Sequence, residues 1–145
     1  MKKEKLITRL LIAGLMSGRL QKTALVAYIL LITLLSLLPG SDLPKVKLFP
    51  HADKVVHLCM YAGLTFLLFW AWPRFFRGSR QWLPLVAVMY WGLSMEILQD
   101  LSPYGREFDL YDMAANTLGF FPGWLVWRWL SRCFSKFPML APSHR

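Results

Sequence analysis

The chain has 145 residues, of which 56% are hydrophobic and 15% aromatic, and only 17% are charged, against about 25% in an ordinary soluble domain. That length fits one domain. So little polar side chain excludes a disordered chain and argues against a globule coated by water. The formal charge is +9 and the mean hydropathy +0.40.

Residues 1–22 form a basic segment. Leu6, Ile7, Leu10, Leu11 and Leu15 recur at helical spacing among Lys2, Lys3, Lys5 and Arg9. This predicts an amphipathic helix lying in a membrane interface, or an early extension of the first span. Four apolar runs follow, at residues 23–38, 55–72, 82–98 and 113–130. Each approaches the ~20 residues that cross a ~30 Å hydrocarbon core as helix. The runs are continuous and do not alternate, so they predict helices, which satisfy their own backbone in lipid. Pro84 falls in the first turn of the third, where a missing N–H costs little. The first run has no small-x-small site before Pro39 and is read as an uncleaved span. The expected fold is therefore all-α: an integral membrane four-helix bundle over residues 23–130, preceded by the amphipathic segment and followed by a basic cytoplasmic tail at 131–145.

The charges predict an orientation. The N-terminal segment, the second connection (Arg74, Arg77, Arg80) and the C-terminal end (Arg128, Arg132, Lys136, Arg145) are basic, opposed only by Glu4. The other two connections and their helix ends hold Asp42, Asp53, Glu96, Asp100, Glu107, Asp109 and Asp112. The positive-inside rule then puts both termini in the cytoplasm and the acidic side outside. The net charge reads as topology and not as a nucleic-acid footprint. Cys59 and Cys133 are too few for a disulfide framework and read as free thiols.

The acidic side carries the chemistry. Asp53, His57 and Tyr61 are spaced i, i+4, i+8 on helix two; Glu96 and Gln99 end helix three; Asp109, Asp112, Asn116, Gly119 and Gly123 share one face of helix four. A charged residue in a span costs roughly 2.5–3.5 kcal/mol, so these groups are expected to face one another in one outward polar pocket. Gly119 and Gly123 would let another helix approach closely. In the functional reading His57 and Glu96 are the acid and base, with Asp53 orienting His57. Lys54 and Arg106 hold an anion, and Tyr61, Gln99, Asp109, Asp112 and Asn116 complete the ligand site. A divalent metal on His57 with Asp53, Glu96, Asp109 and Asp112 is an alternative. However, no HExxH, P-loop, GxSxG or CxxC motif occurs, and no cofactor is expected. The same residues are also explained by a network that only locks three helices together.

The ordered set Asp53-Lys54-Val55-Val56-His57, Tyr61, Glu96-Ile97-Leu98-Gln99, Gly105-Arg106, Asp109, Asp112, Asn116, Gly119 and Gly123 resembles the signature of the VanZ-like family across roughly residues 35–125. The resemblance implies a multi-pass protein of the bacterial cytoplasmic membrane, with a role in the cell envelope or in resistance to the glycopeptide teicoplanin. It supplies no reaction. The expected partners are the lipid bilayer and an anionic lipid or lipid-linked cell-wall precursor, with no nucleic acid.

Overall fold

The apolar runs become helix in a computed structural model that describes residues 17–38, 50–103 and 107–135. The helices are α1 (Gly18–Leu37), α2 (Ala52–Ala71), α3 (Leu83–Asp100), α4 (Leu110–Leu118) and α5 (Phe120–Ser135), with a 3-10 turn at Gly78–Trp82 before α3. No strand occurs among the described residues. Two expected boundaries move. Helix α1 begins at Gly18, taking the last residues of the basic segment, as the early-extension reading allows. The amphipathic stretch before it lies outside the described residues. Helix α5 runs to Ser135, into the expected tail.

The fourth run is divided. Pro122 has no N–H to give the Leu118 carbonyl, so the helical ladder is interrupted at Gly119. Gly119 keeps helical dihedrals (φ −56°, ψ −23°), and its N–H still reaches the Ala115 carbonyl at 3.0 Å. The two segments therefore follow one another without a reversal.

Helix α2 is the hub and packs on α1, α3, α4 and α5. The core joins Leu25 and Ile32 of α1, Tyr61, Leu64 and Ala71 of α2, and Val88 of α3. Glycine decides how closely α2 meets the fourth run. A Cβ at Gly119 would stand 2.6 Å from the Leu58 carbonyl oxygen, and one at Gly123 would stand 2.2 Å from that of Ala62. Both obstacles are backbone, which cannot swing aside. Packing against α1 is different in kind: the Tyr28 hydroxyl donates to the Met60 carbonyl at 2.9 Å.

Polar side chains are buried beside the apolar core, and many apolar side chains face outward. Gln21, Ser36, His57, Thr65, Glu96, Gln99, Asp112 and Asn116 are buried, while Val26, Leu30, Leu34, Val86, Leu118 and Leu125 point outward. Helices α1 and α2 are each long and apolar enough to cross a membrane. Helix α3 ends in Glu96, Gln99 and Asp100, and the fourth run is split, so their stretches are less continuously apolar.

The glycine contacts make a direct prediction. Gly123→Ala forces α5 away from α2 and lowers stability by roughly 1–3 kcal/mol, the usual cost of overpacking. Gly18→Ala, where nothing lies within 4 Å of the new methyl, leaves the thermal midpoint of the detergent-solubilised protein unchanged or slightly higher.

Candidate functional site

The charges sort to opposite ends of the bundle. Every acidic residue among the described ones lies where α1 and α3 end and α2 and α4 begin. Apart from Lys54, the described basic residues lie at the other end, where Lys22 stacks over Trp72, Arg80 over Phe75 and Arg128 over Trp124. Cationic and aromatic side chains together are the expected lining of a membrane interface.

At the acidic end, α4 starts on Asp109, whose side chain accepts from the Tyr111 N–H at 2.7 Å. Asp112, three residues later, would ordinarily close a capping box by accepting from the Asp109 N–H. Here that N–H donates to Glu96 Oε2 at 3.3 Å. A residue of α3 therefore caps α4, and Asp112 is left to face α2. The short connection after α3, tied by the Phe108 N–H to Asp100 Oδ1 at 3.2 Å, brings the two helices to this register.

Lys54 bonds Asp109, Asp112 (2.6 Å) and Asp53 (3.0 Å). Near the N-terminus of α2 a cation opposes the helix dipole, and these three carboxylates offset that. Lys54 also holds the Asp109 carboxyl below the usual carboxylate range, with the Tyr111 N–H adding to the effect. A depressed native pKa stabilises the fold at neutral pH, and the contribution is lost as pH falls through that lowered value.

Three ionisable side chains then meet from three helices. His57 of α2, Glu96 of α3 and Asp112 of α4 are 8%, 0% and 6% exposed. Each offers one ligand atom, and those atoms lie within 4.8 Å of one another. His57 Nδ1 is 2.9 Å from Asn116 Oδ1. An amide oxygen only accepts, so Nδ1 carries a proton, and in the neutral ring Nε2 is the atom that presents a lone pair. Nε2 stands 3.9 Å from Asp112 Oδ2. The other Asp112 oxygen is held by Lys54, so this carboxylate joins the clasp to the cluster.

The remaining expected residues divide. Tyr61 lies one turn beyond His57, buried, its hydroxyl without a partner among the described residues, and Asn116 Nδ2 is in the same state. Gln99 is directed away from the cluster and donates to the Ser36 carbonyl of α1 at 2.8 Å. Asp53 does not orient His57. Side chains lean toward a helix's N-terminus, and Asp53 sits in the first turn, so its carboxylate leaves the helix end, 60% exposed, and pairs with Lys54. Asn116 holds His57 instead. Lys54, expected to hold an anion, is already shared among three carboxylates. Arg106 lies outside the described residues.

Two further buried or close-packed positions lie along or against the same stripe. Thr65 continues the His57–Tyr61 stripe at i+4 and is fully buried, so the stripe could have found it. Gly92 lies one turn before Glu96, and a Cβ there would meet Asn116 Cβ at 3.1 Å and Asn116 Nδ2 at 3.3 Å. Glycine at that position is what admits Asn116.

Comparison with known proteins agrees with the resemblance read from these residues. The VanZ/LLP1 family model matches residues 20–131. The chain belongs to the VanZ-like family. A similar stretch occurs in the uncharacterized protein C11E3.10 of Schizosaccharomyces pombe, 37% identical over 70 residues. It covers 48% of this chain and 43% of that protein, so the match spans less than half of either. No solved structure matches this VanZ-like chain.

Removing the Lys54 charge leaves the buried Asp112 carboxylate uncompensated. Lys54→Met is expected to lower stability by about 3 kcal/mol, the scale for breaking a buried ion pair on one side. The double variant Lys54→Met/Asp112→Asn recovers a large part of that loss, read as thermal midpoints in detergent.

Proposed function

We propose that this VanZ-like protein crosses the membrane four times, with its acidic end outside, and that the buried cluster binds the phosphate-bearing head group of a lipid or lipid-linked precursor. The observation that carries this reading is the convergence of His57, Glu96 and Asp112 from three helices, with Asn116 Nδ2 and the Tyr61 hydroxyl buried beside them and unpartnered. Buried polar groups are normally satisfied. An N–H and an O–H without partners among the described residues suit the oxygens of a bound ligand. His57 Nε2 is the proton-accepting atom, and Glu96 is the second proton-handling group. The apolar outer surface and the charge separation support the spanning arrangement.

The recurrence of part of this sequence in a fungus favours a head group common to bacterial and fungal membranes over one confined to a bacterial wall. A bearing on teicoplanin susceptibility follows only if the bound lipid feeds envelope synthesis.

One group of observations favours a second reading, in which the polar residues act as a lock. Lys54 ties α2 to α4, Glu96 ties α3 to α4, and Gln99 ties α3 to α1. These bonds account for Lys54, Asp109 and Gln99. They do not account for an imidazole lone pair set against a carboxylate, or for the unpartnered atoms of Asn116 and Tyr61.

The two readings separate by experiment. Purified protein is offered nanodiscs containing phosphatidylglycerol or undecaprenyl phosphate, and retained lipid is measured. His57→Gln and Asn116→Ala should remain folded and lose lipid retention about tenfold or more. If retention is unchanged and only the thermal midpoint falls, the residues are a lock. The orientation is checked with single cysteines replacing Lys45 and Arg77 in a background with Cys59 and Cys133 changed to serine. Only the Lys45 position should react with an impermeant maleimide on intact cells.

A further inference from the structure

Lys54, the one described cation at this end of the bundle, is held by three carboxylates, so it is poorly placed to attract a phosphate. Another positive group would serve the site better, and the donors are arranged for one. We propose that His57 Nε2, Glu96 and Asp112 bind a divalent first-row cation, of the Zn2+ or Mn2+ kind. This deepens the proposed head-group site and rests on it for purpose, though not for the metal itself.

Three features argue for it. First, the donor set is one imidazole and two carboxylates on separate helices, all buried, with ligand atoms within 4.8 Å of one another. Imidazole with carboxylates suits Zn2+ and related ions, whereas Ca2+ and Mg2+ sites are built from oxygens. Second, the atoms behind the donors are arranged as in a metal site. Metal-binding histidines usually give their other ring N–H to a carbonyl or carboxylate, which fixes the tautomer. Asn116 Oδ1 does this to His57 Nδ1 at 2.9 Å. Lys54 does the equivalent for Asp112, holding Oδ1 at 2.6 Å while Oδ2 turns to the imidazole. In the neutral Nδ1–H tautomer the Nε2 lone pair faces Asp112 Oδ2 at 3.9 Å, an arrangement that a cation between them turns from repulsive to attractive. Third, the Asn116 Nδ2 and the Tyr61 hydroxyl, both on residues 1% exposed, have no partner among the described residues. Both residues border Gly92, one turn along α3 from Glu96. They are available to waters or phosphate oxygens on the ion.

Three protein ligands leave coordination positions open, which is the arrangement of sites that bind an exogenous ligand and not of purely structural ones. Around an ion with ligands at ~2.0–2.2 Å, tetrahedral donors stand about 3.4 Å apart. Binding therefore draws α2, α3 and α4 together, and the metal should stabilise the fold through linkage.

The test uses the full-length protein in detergent, stripped with chelator and then titrated with Zn2+ or Mn2+ alone. The expected result is one ion per chain by calorimetry, with the thermal midpoint rising by several degrees. His57→Gln, Glu96→Gln and Asp112→Asn should each weaken binding at least tenfold, and the control Glu107→Gln should change it by less than threefold. His57→Cys keeps a donor atom and should restore Zn2+ binding while disfavouring Mn2+; that outcome separates lost ligation from lost folding. No binding by the folded wild type at millimolar metal, or full binding by the folded triple variant, overturns the proposal. Chelation then separates it from the head-group reading. Metal binding without lipid retention defeats the head-group reading alone, and chelator-indifferent lipid retention by a wild type that binds no metal defeats the metal proposal alone.

Discussion

An ionisable side chain in an apolar bundle needs a partner, and in this protein that requirement determines where three helices meet. The outer surface offers leucine, valine and aromatic side chains, so charge cannot be stabilised there by water-facing neighbours. His57, Glu96 and Asp112 are each placed on a different helix, and each would be unfavourable alone. Brought to the same end of the bundle, they share one buried site, where Lys54 offsets the Asp112 charge. The hydrogen bond from the Asp109 backbone to Glu96 then does two jobs, capping α4 from the neighbouring helix and releasing Asp112 toward α2.

Close packing makes this convergence geometrically possible. Gly119 and Gly123 let α4 and α5 come against the backbone of α2, and Gly92 opens room for Asn116. Small residues allow helix backbones to approach closely. The site is thus supported from below by glycine contacts and from above by the Lys54 clasp. The clasp and the buried cluster perform different work. Lys54 and Asp109 tie α2 to α4 and Gln99 ties α3 to α1, while His57, Glu96, Asp112, Asn116 and Tyr61 form the buried cluster.

Much of this was legible in the sequence, because few residue types in the chain are polar and their spacing is helical. Four runs of apolar residues mark the helices, and the positions of Asp, Glu, Lys and Arg mark two unlike ends. The i, i+4 stripe of α2 and the three-four spacing of α4 pointed to one shared face. What was not legible depends on direction and not on spacing. Asp53 shares the stripe of His57, yet its side chain leaves the end of the helix, and Gln99 shares the face of Glu96, yet reaches α1. That Asn116 holds His57, and that Gly92 admits Asn116, depends on how α3 and α4 are set against each other. The interruption at Gly119 follows from Pro122, whose missing N–H removes one ladder bond inside an otherwise continuous apolar run.

The central claim is that three ionisable groups from separate helices share one buried site. A double-mutant cycle on metal-free protein tests it most directly, with His57→Gln and Asp112→Asn made singly and together and stability read by reversible unfolding in detergent. Groups in one network show a coupling of roughly 0.5–3 kcal/mol, whereas distant ones add within about 0.3–0.5 kcal/mol. A coupling above 1 kcal/mol is the predicted result, by that same scale. Strict additivity would contradict the shared site.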